Sequence, residues 1–175
     1  TGQYGVLDVI NSGSAMELDE ETISLIKEVI KEKKIHTLWF EAHYMYRKKL
    51  ASFAEQFAPA KVKFRCGVET FDTALREAWK KGIPSSVSVQ DIAQHFQGIC
   101  LLCCTQGETK EHILKDIELA KAHFEYFSVN VFCDNHTPIK QDKELASWFA
   151  KEVYPMIKDD PRIEVLMENT DLGVG

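Results

Sequence analysis

No apolar run in this 175-residue sequence approaches the ~18 residues that would cross a bilayer, and no signal-peptide pattern is present. A membrane partner is therefore not expected. Cysteine is sparse and odd in number, five residues scattered inside apolar runs. That excludes a paired disulfide framework and fits a reducing cytoplasm. Basic side chains are outnumbered, 21 Lys and Arg against 27 Asp and Glu, for a net charge of −6. Phosphate backbones need clustered cations, so the balance argues against nucleic acid, although Lys61, Lys63 and Arg65 leave a local basic groove open. There is no internal repeat, no low-complexity segment and no Gly-rich phosphate loop. What remains is ordinary for one globular domain, 1–175, with 45% hydrophobic and 27% charged residues.

The chain is organised around Lys61-Val62-Lys63-Phe64-Arg65-Cys66-Gly67-Val68-Glu69-Thr70. Val62, Phe64, Cys66 and Val68 alternate with Lys63, Arg65, Gly67 and Glu69, which predicts a strand with one dry and one polar face. Asp72 then caps a helix bearing Leu75, Ala78 and Trp79, closed by Lys80-Lys81-Gly82. A strand that delivers a carboxylate at its C-terminal end and turns into a helix is the usual place for a barrel active site.

Similar units flank it. Val6–Asn11, Ile35–Glu41, Gly98–Thr105, Phe127–Cys133 and Ile163–Met167 read as strands. Asp19, Ser88 with Asp91, and Thr109 read as helix starts. Tyr46, Leu50, Phe53 and Phe57 fall at helical spacing before Pro59, and a helix from about Asp142 meets Pro155. Strands about every 30 residues with helices between them predict repeated βα units in a parallel sheet. A doubly wound sheet is dry on both faces, whereas here Glu41, Lys63, Arg65, Glu69, Ser128 and Asn130 share the non-apolar face. The expected fold is an open, incomplete TIM-like barrel of about six parallel strands around a polar ligand. The sequence opens on Thr1 with a strand starting by Val6, which predicts a chain cut at its start. An unpaired edge at Val6–Ile10 predicts self-association.

Glu41 and Glu69 end neighbouring strands on one parity and can point into the same bowl, or form rim ion pairs. His43 and His136 follow strand ends and stand open as acid, base or ligand candidates. Cys100 and Cys103 have CxxC spacing but alternate faces of a strand, which disfavours a metal site there. Cys104 and Cys133 lie nearer the C-terminal mouth, and all five cysteines fit small buried hydrophobes.

Four segments in order resemble the radical S-adenosylmethionine (SAM) enzymes. Gly67-Val68-Glu69-Thr70 with Lys80-Lys81-Gly82-Ile83 resembles the fourth-strand region of that superfamily, and Asn11-Ser12-Gly13-Ser14 its second-strand turn. Phe40-Glu41-Ala42 is similar to the third-strand glutamate, and Cys104-Thr105-Gln106-Gly107-Glu108-Thr109 to the fifth-strand G-x-P-G-Q-T loop, from which Gln106 and Glu108 depart. The resemblance implies that Ser12, Gly13 and Ser14 meet the SAM amino group. It likewise implies Glu41 and Glu69 near its ribose or methionyl part, and Lys81 (or Lys80) at its carboxylate. It also implies a [4Fe–4S] cluster whose C-x3-C-x2-C ligands this sequence lacks. The chain is thus expected to be the later part of such a barrel. As it stands it is not expected to cleave SAM, and its substrate is not legible. The alternative is a non-catalytic or degenerate βα-barrel binding module.

Overall fold

The computed structural model describes residues 4–11 and 13–168. Six strands, β1 (Val6–Val9), β2 (Thr37–Glu41), β3 (Lys61–Glu69), β4 (Gly98–Cys103), β5 (Tyr126–Val131) and β6 (Ile163–Leu166), lie side by side in chain order. Every neighbouring pair is parallel. A doubly wound sheet reverses direction at a central strand; an unbroken sequential order is the arc of a βα barrel. The open barrel expected from the alternation is the observed architecture.

The outer layer holds α1 (Glu20–Lys33), α2 (Leu50–Glu55), α3 (Thr73–Ala78), α4 (Val89–Ala93), α5 (Lys110–His123), α6 (Lys143–Trp148) and α7 (Tyr154–Ile157). The expected caps form. Asp19 accepts from the Thr22 N–H at 2.7 Å, Asp72 from Leu75 at 2.8 Å, and Ser88 with Asp91 closes a capping box. Three helices differ from expectation. The segment 46–57 splits into a 3₁₀ turn at Tyr44–Tyr46 and the short α2. The helix after β3 ends at Ala78, before both lysines, because Lys80 (φ 54°) and Gly82 (φ 66°) are left-handed. Ahead of Pro155 the backbone widens to a π-helical turn, Phe149–Val153, and Pro155 sits in the first turn of α7, where a missing N–H costs little.

The dry face of the sheet packs under these helices. Leu38, Phe40, Phe64, Cys66, Val68, Ile99, Leu101, Phe127 and Val129 are all buried there. Phe40 stands 5.3 Å from Phe53 and 5.2 Å from Phe57, between ring centroids, so β2 is tied to the helix that follows it.

The polar face closes at its floor on itself. Asp8, Trp39 and Lys63 are register partners, and Arg65 pairs with Asp8 while Lys63 pairs with Glu125. The Arg65 guanidinium lies 5.7 Å from the centroids of both Trp39 and Tyr126, and Arg65 is buried. Of the three cations that left a basic groove open, Arg65 is thus spent inside the barrel, Lys63 is paired with the exposed Glu125, and Lys61 is exposed.

Candidate functional site

With the floor filled, open space remains at the C-terminal ends of the strands. β2 ends on Glu41 and β3 on Glu69, while Lys81 reaches back from the turn after α3. The Lys81 ammonium donates to Glu69 Oε1 at 2.7 Å. Between the two strand ends is Gly67, and its missing side chain is what lets them converge. A Cβ there would lie 3.3 Å from Glu41 Oε1, 3.4 Å from Glu69 Oε1 and 3.7 Å from Lys81 Nζ.

Glu69 owes its aim to a local irregularity. The register between β3 and β4 shifts between Gly67 and Glu69, and Glu69 itself has φ 65°. A non-glycine residue in the left-handed region costs energy, and such residues gather at ligand sites. Cys104 (φ 66°), the residue after β4, shares the feature.

Two carboxylates and one ammonium leave this cluster one negative charge in excess. Burial raises the Glu41 carboxyl above its ordinary value, and the neighbouring Glu69 charge raises it further, partly offset by Lys81. Burial alone would lower the Lys81 ammonium, but Glu69 and then Glu41 outweigh it and hold it above its ordinary value. Among the described residues Glu41 has no ion-pair partner of its own. Its carboxylate faces a cavity of about 350 Å³ lined also by Asn11, Gly13, Ser14, His43, Tyr46 and Lys81. Glu69 lines a neighbouring cavity of about 480 Å³, which Lys81 shares, walled by Trp79, Leu102 and Phe132 and carrying Asn130, Asn135 and Glu168. One buried acceptor in each, Asn11 Oδ1 and Asn130 Oδ1, has no donor among the described residues.

Of the residues expected at the site, Gly13, Ser14, Glu41 and Lys81 share one cavity, while Glu69 lines the neighbouring one and Lys81 lines both. Ser12 and the segment 169–173 after β6 lie outside the described residues. His43 is in the cavity, whereas His136 is exposed on the loop after β5. Sequence reasoning passed over Glu17 and Tyr46, which line the first cavity, and Trp79, which walls the second, since a carboxylate or ring on a helix or turn carries no mark of facing a mouth. Asn130 was legible by its parity alone.

The cysteines do not gather. Cys103 and Cys104 lie 3.7 Å apart through sulfur, but Cys66 and Cys100 face opposite sides of the sheet. Burial pushes the Cys100 thiol up to about 12 and the Cys66 thiol higher still. Among the described residues no three His, Cys, Asp or Glu could hold a metal ion. They do not fit a [4Fe–4S] cluster. They do fit SAM, whose ammonium, carboxylate and hydroxyls match the carboxylates, the ammonium and the orphaned amide oxygens at the mouth.

An open sequential barrel with a charged C-terminal mouth is the scaffold of the radical SAM enzymes, and the chain belongs to that superfamily. A solved structure carries the assignment: queuine lyase from Clostridium spiroforme bound to SAM and queuine, at a TM-score of 0.91 and 41% identity. The match covers 100% of this chain and 75% of that one. No protein-family model and no curated protein matches the sequence. Likeness of this degree to an enzyme does not favour the reading as a non-catalytic binding module. Among the described residues no helix is long and apolar enough to cross a membrane.

Proposed function

We propose that this chain binds SAM across its barrel mouth and, within the complete enzyme, acts on queuine or a closely related modified guanine base. The observation that carries the first half is the charge of the mouth. Glu41, Glu69 and Lys81 sum to −1 around a single point above Gly67, and SAM brings an ammonium and a sulfonium against one carboxylate. Charge complementarity at a half-buried site is worth more than at the surface, because water screens it less. Lys81 would meet the ligand carboxylate, and Glu41, which lacks a cation of its own, the ammonium. Gly13 and Ser14 approach as backbone. When bound, SAM supplies the radical chemistry of the superfamily; the residues named here bind and orient it. Identity of 41% with a queuine lyase supports the second half. The wider cavity beside Glu69, with the apolar wall of Trp79 and Leu102 and the Asn130 acceptor, offers room for a flat base with N–H edges. Free cysteines throughout fit a cytoplasmic setting.

Calorimetric titration separates the two halves. SAM should bind, and queuine should then bind to the SAM-saturated protein with guanine a weaker competitor. Glu69→Ala should weaken SAM by about 1–3 kcal/mol, with Glu69→Gln between it and wild type and little change in Tm. SAM binding without queuine binding removes the substrate and leaves the cofactor site. An unchanged SAM affinity with a sharply lower Tm in Glu69→Ala makes Glu69 structural.

A further inference from the structure

Lys81 is a long side chain on an exposed-sided turn, yet its ammonium is held within 2.7 Å of Glu69. The turn that carries it is unusual. Helix α3 stops at Ala78, and Lys80 and Gly82 on either side of Lys81 both have positive φ, 54° and 66°. A backbone bent this way leaves its carbonyls outside any helix, where each needs a donor. For Lys81 the donor is not backbone but a side chain from another strand end. His43 Nε2 stands 2.7 Å from the Lys81 carbonyl oxygen.

The other ring nitrogen decides the chemistry. The Met45 backbone N–H points at His43 Nδ1 at 3.2 Å. An amide N–H only donates, so Nδ1 is the unprotonated acceptor; a carbonyl only accepts, so Nε2 bears the hydrogen. The imidazole is thus a neutral clamp with a single tautomer, one nitrogen rooted in its own 3₁₀ turn and the other holding the lysine turn. The Cε1–Nε2 edge of the ring also packs against that turn: a Cβ on Gly82 would be 3.4 Å from His43 Cε1 and 3.5 Å from Nε2. The Lys81 N–H is tied from below to the Arg76 carbonyl at 3.2 Å, so the peptide units on both sides of Lys81 are fixed. His43 follows Glu41 by two residues, so one strand end supplies both a carboxylate of the mouth and the brace for its counter-cation.

We propose that His43 is a positioning residue, holding the Lys80-Lys81-Gly82 turn so that the Lys81 ammonium stands between Glu69 and Glu41. Its importance for SAM rests on the function proposed above; the clamp itself does not.

Two kinds of measurement on the full chain, spectroscopy and a binding cycle, keep the two apart. Nitrogen-15 NMR of the histidine rings should show His43 neutral with Nδ1 bare and Nε2 protonated. Lysine ammonium spectra should show a slowly exchanging Lys81 signal, lost in His43→Phe and kept in His43→Gln, whose amide can still donate to the Lys81 carbonyl. A protonated Nδ1, or a Lys81 signal untouched by His43→Phe, overturns the proposal whether or not SAM binds. The second measurement is a double-mutant cycle on SAM affinity. His43→Phe should lose about tenfold in a Lys81 background and nothing further when Lys81→Met is already present. An equal loss in both backgrounds overturns the proposal, because His43 would then act on the ligand or the fold by itself. If wild type binds no SAM, the proposed function falls, and the spectra alone decide the clamp.

Discussion

Two carboxyls, half-buried Glu41 and buried Glu108, carry opposite messages about pH. Glu41 is raised by burial and by Glu69, so it takes up a proton at a pH where an ordinary carboxylate stays ionised. Protonation removes the excess negative charge of the mouth, so affinity for SAM should fall as pH drops into the mildly acid range. Glu41→Gln should bind more weakly at neutral pH and flatten that dependence in calorimetry; an unchanged slope would mean that another group titrates. Glu108 concerns stability instead. It is buried, its Oε2 accepts from the Thr105 N–H at 2.6 Å and hydroxyl at 2.9 Å, and its Oε1 has no donor among the described residues. Burial, against the pull of those bonds, pushes it up to about 7. The folded protein therefore keeps a proton that the unfolded chain releases. That contribution is complete below the unfolded value near 4.5 and is lost as pH rises through about 7. Glu108→Gln should gain about 1–3 kcal/mol over wild type at pH 8 and little at pH 5, by urea unfolding at both. An equal difference at the two pH values would deny Glu108 the proton.

At the scale of elements, β3 is a strand with two jobs and a defect that reconciles them. Val62, Phe64, Cys66 and Val68 hold it to the helices, while Arg65 fills the floor and Glu69 serves the mouth. The register shift between Gly67 and Glu69 interrupts the ladder at Val68, and Glu69, again in register with Leu101, turns toward Lys81. Gly67 has an ordinary φ, so alanine is permitted by the backbone, and its methyl would press on two flexible carboxylates rather than on main chain. Gly67→Ala should leave Tm within a few degrees of wild type. It should also weaken SAM by about 1–2 kcal/mol through displaced Glu41 and Glu69. A large fall in Tm with SAM affinity intact would show that the glycine serves folding and not the site.

For the molecule as a whole, the charged mouth and the buried thiols divide the cofactors. On the proposed function SAM finds its partners at the mouth, whereas Cys66 and Cys100 lie on opposite faces of the sheet and burial holds both thiols protonated. Anaerobic treatment of the 175-residue chain with iron and sulfide should give no stable [4Fe–4S] absorbance, and a stoichiometric cluster through Cys100, Cys103 and Cys104 would contradict the strand geometry. Among the described residues β1 is an edge of the sheet, with Val6 42% exposed and Ile10 just beyond it 47% exposed. Unpaired edge groups invite another strand, so we infer self-association, measured by light scattering. A monomer at high concentration would refute it.

Strand period, helix caps and the polar parity of β2, β3 and β5 were written in local sequence, because each depends on neighbours only two to four residues away. From them followed the open barrel and the pairing of Glu41 with Glu69 at one mouth, and the ordered motifs pointed to the superfamily. The tertiary structure alone decided the rest. That Lys63 and Arg65 are spent on Glu125 and Asp8 depends on strands brought together across the barrel. That it is Lys81 and not Lys80 that meets Glu69 depends on where α3 breaks. The brace from His43 crosses 38 residues of chain. Contacts of that range are chosen by packing, and a side chain's own neighbours in sequence carry no trace of them.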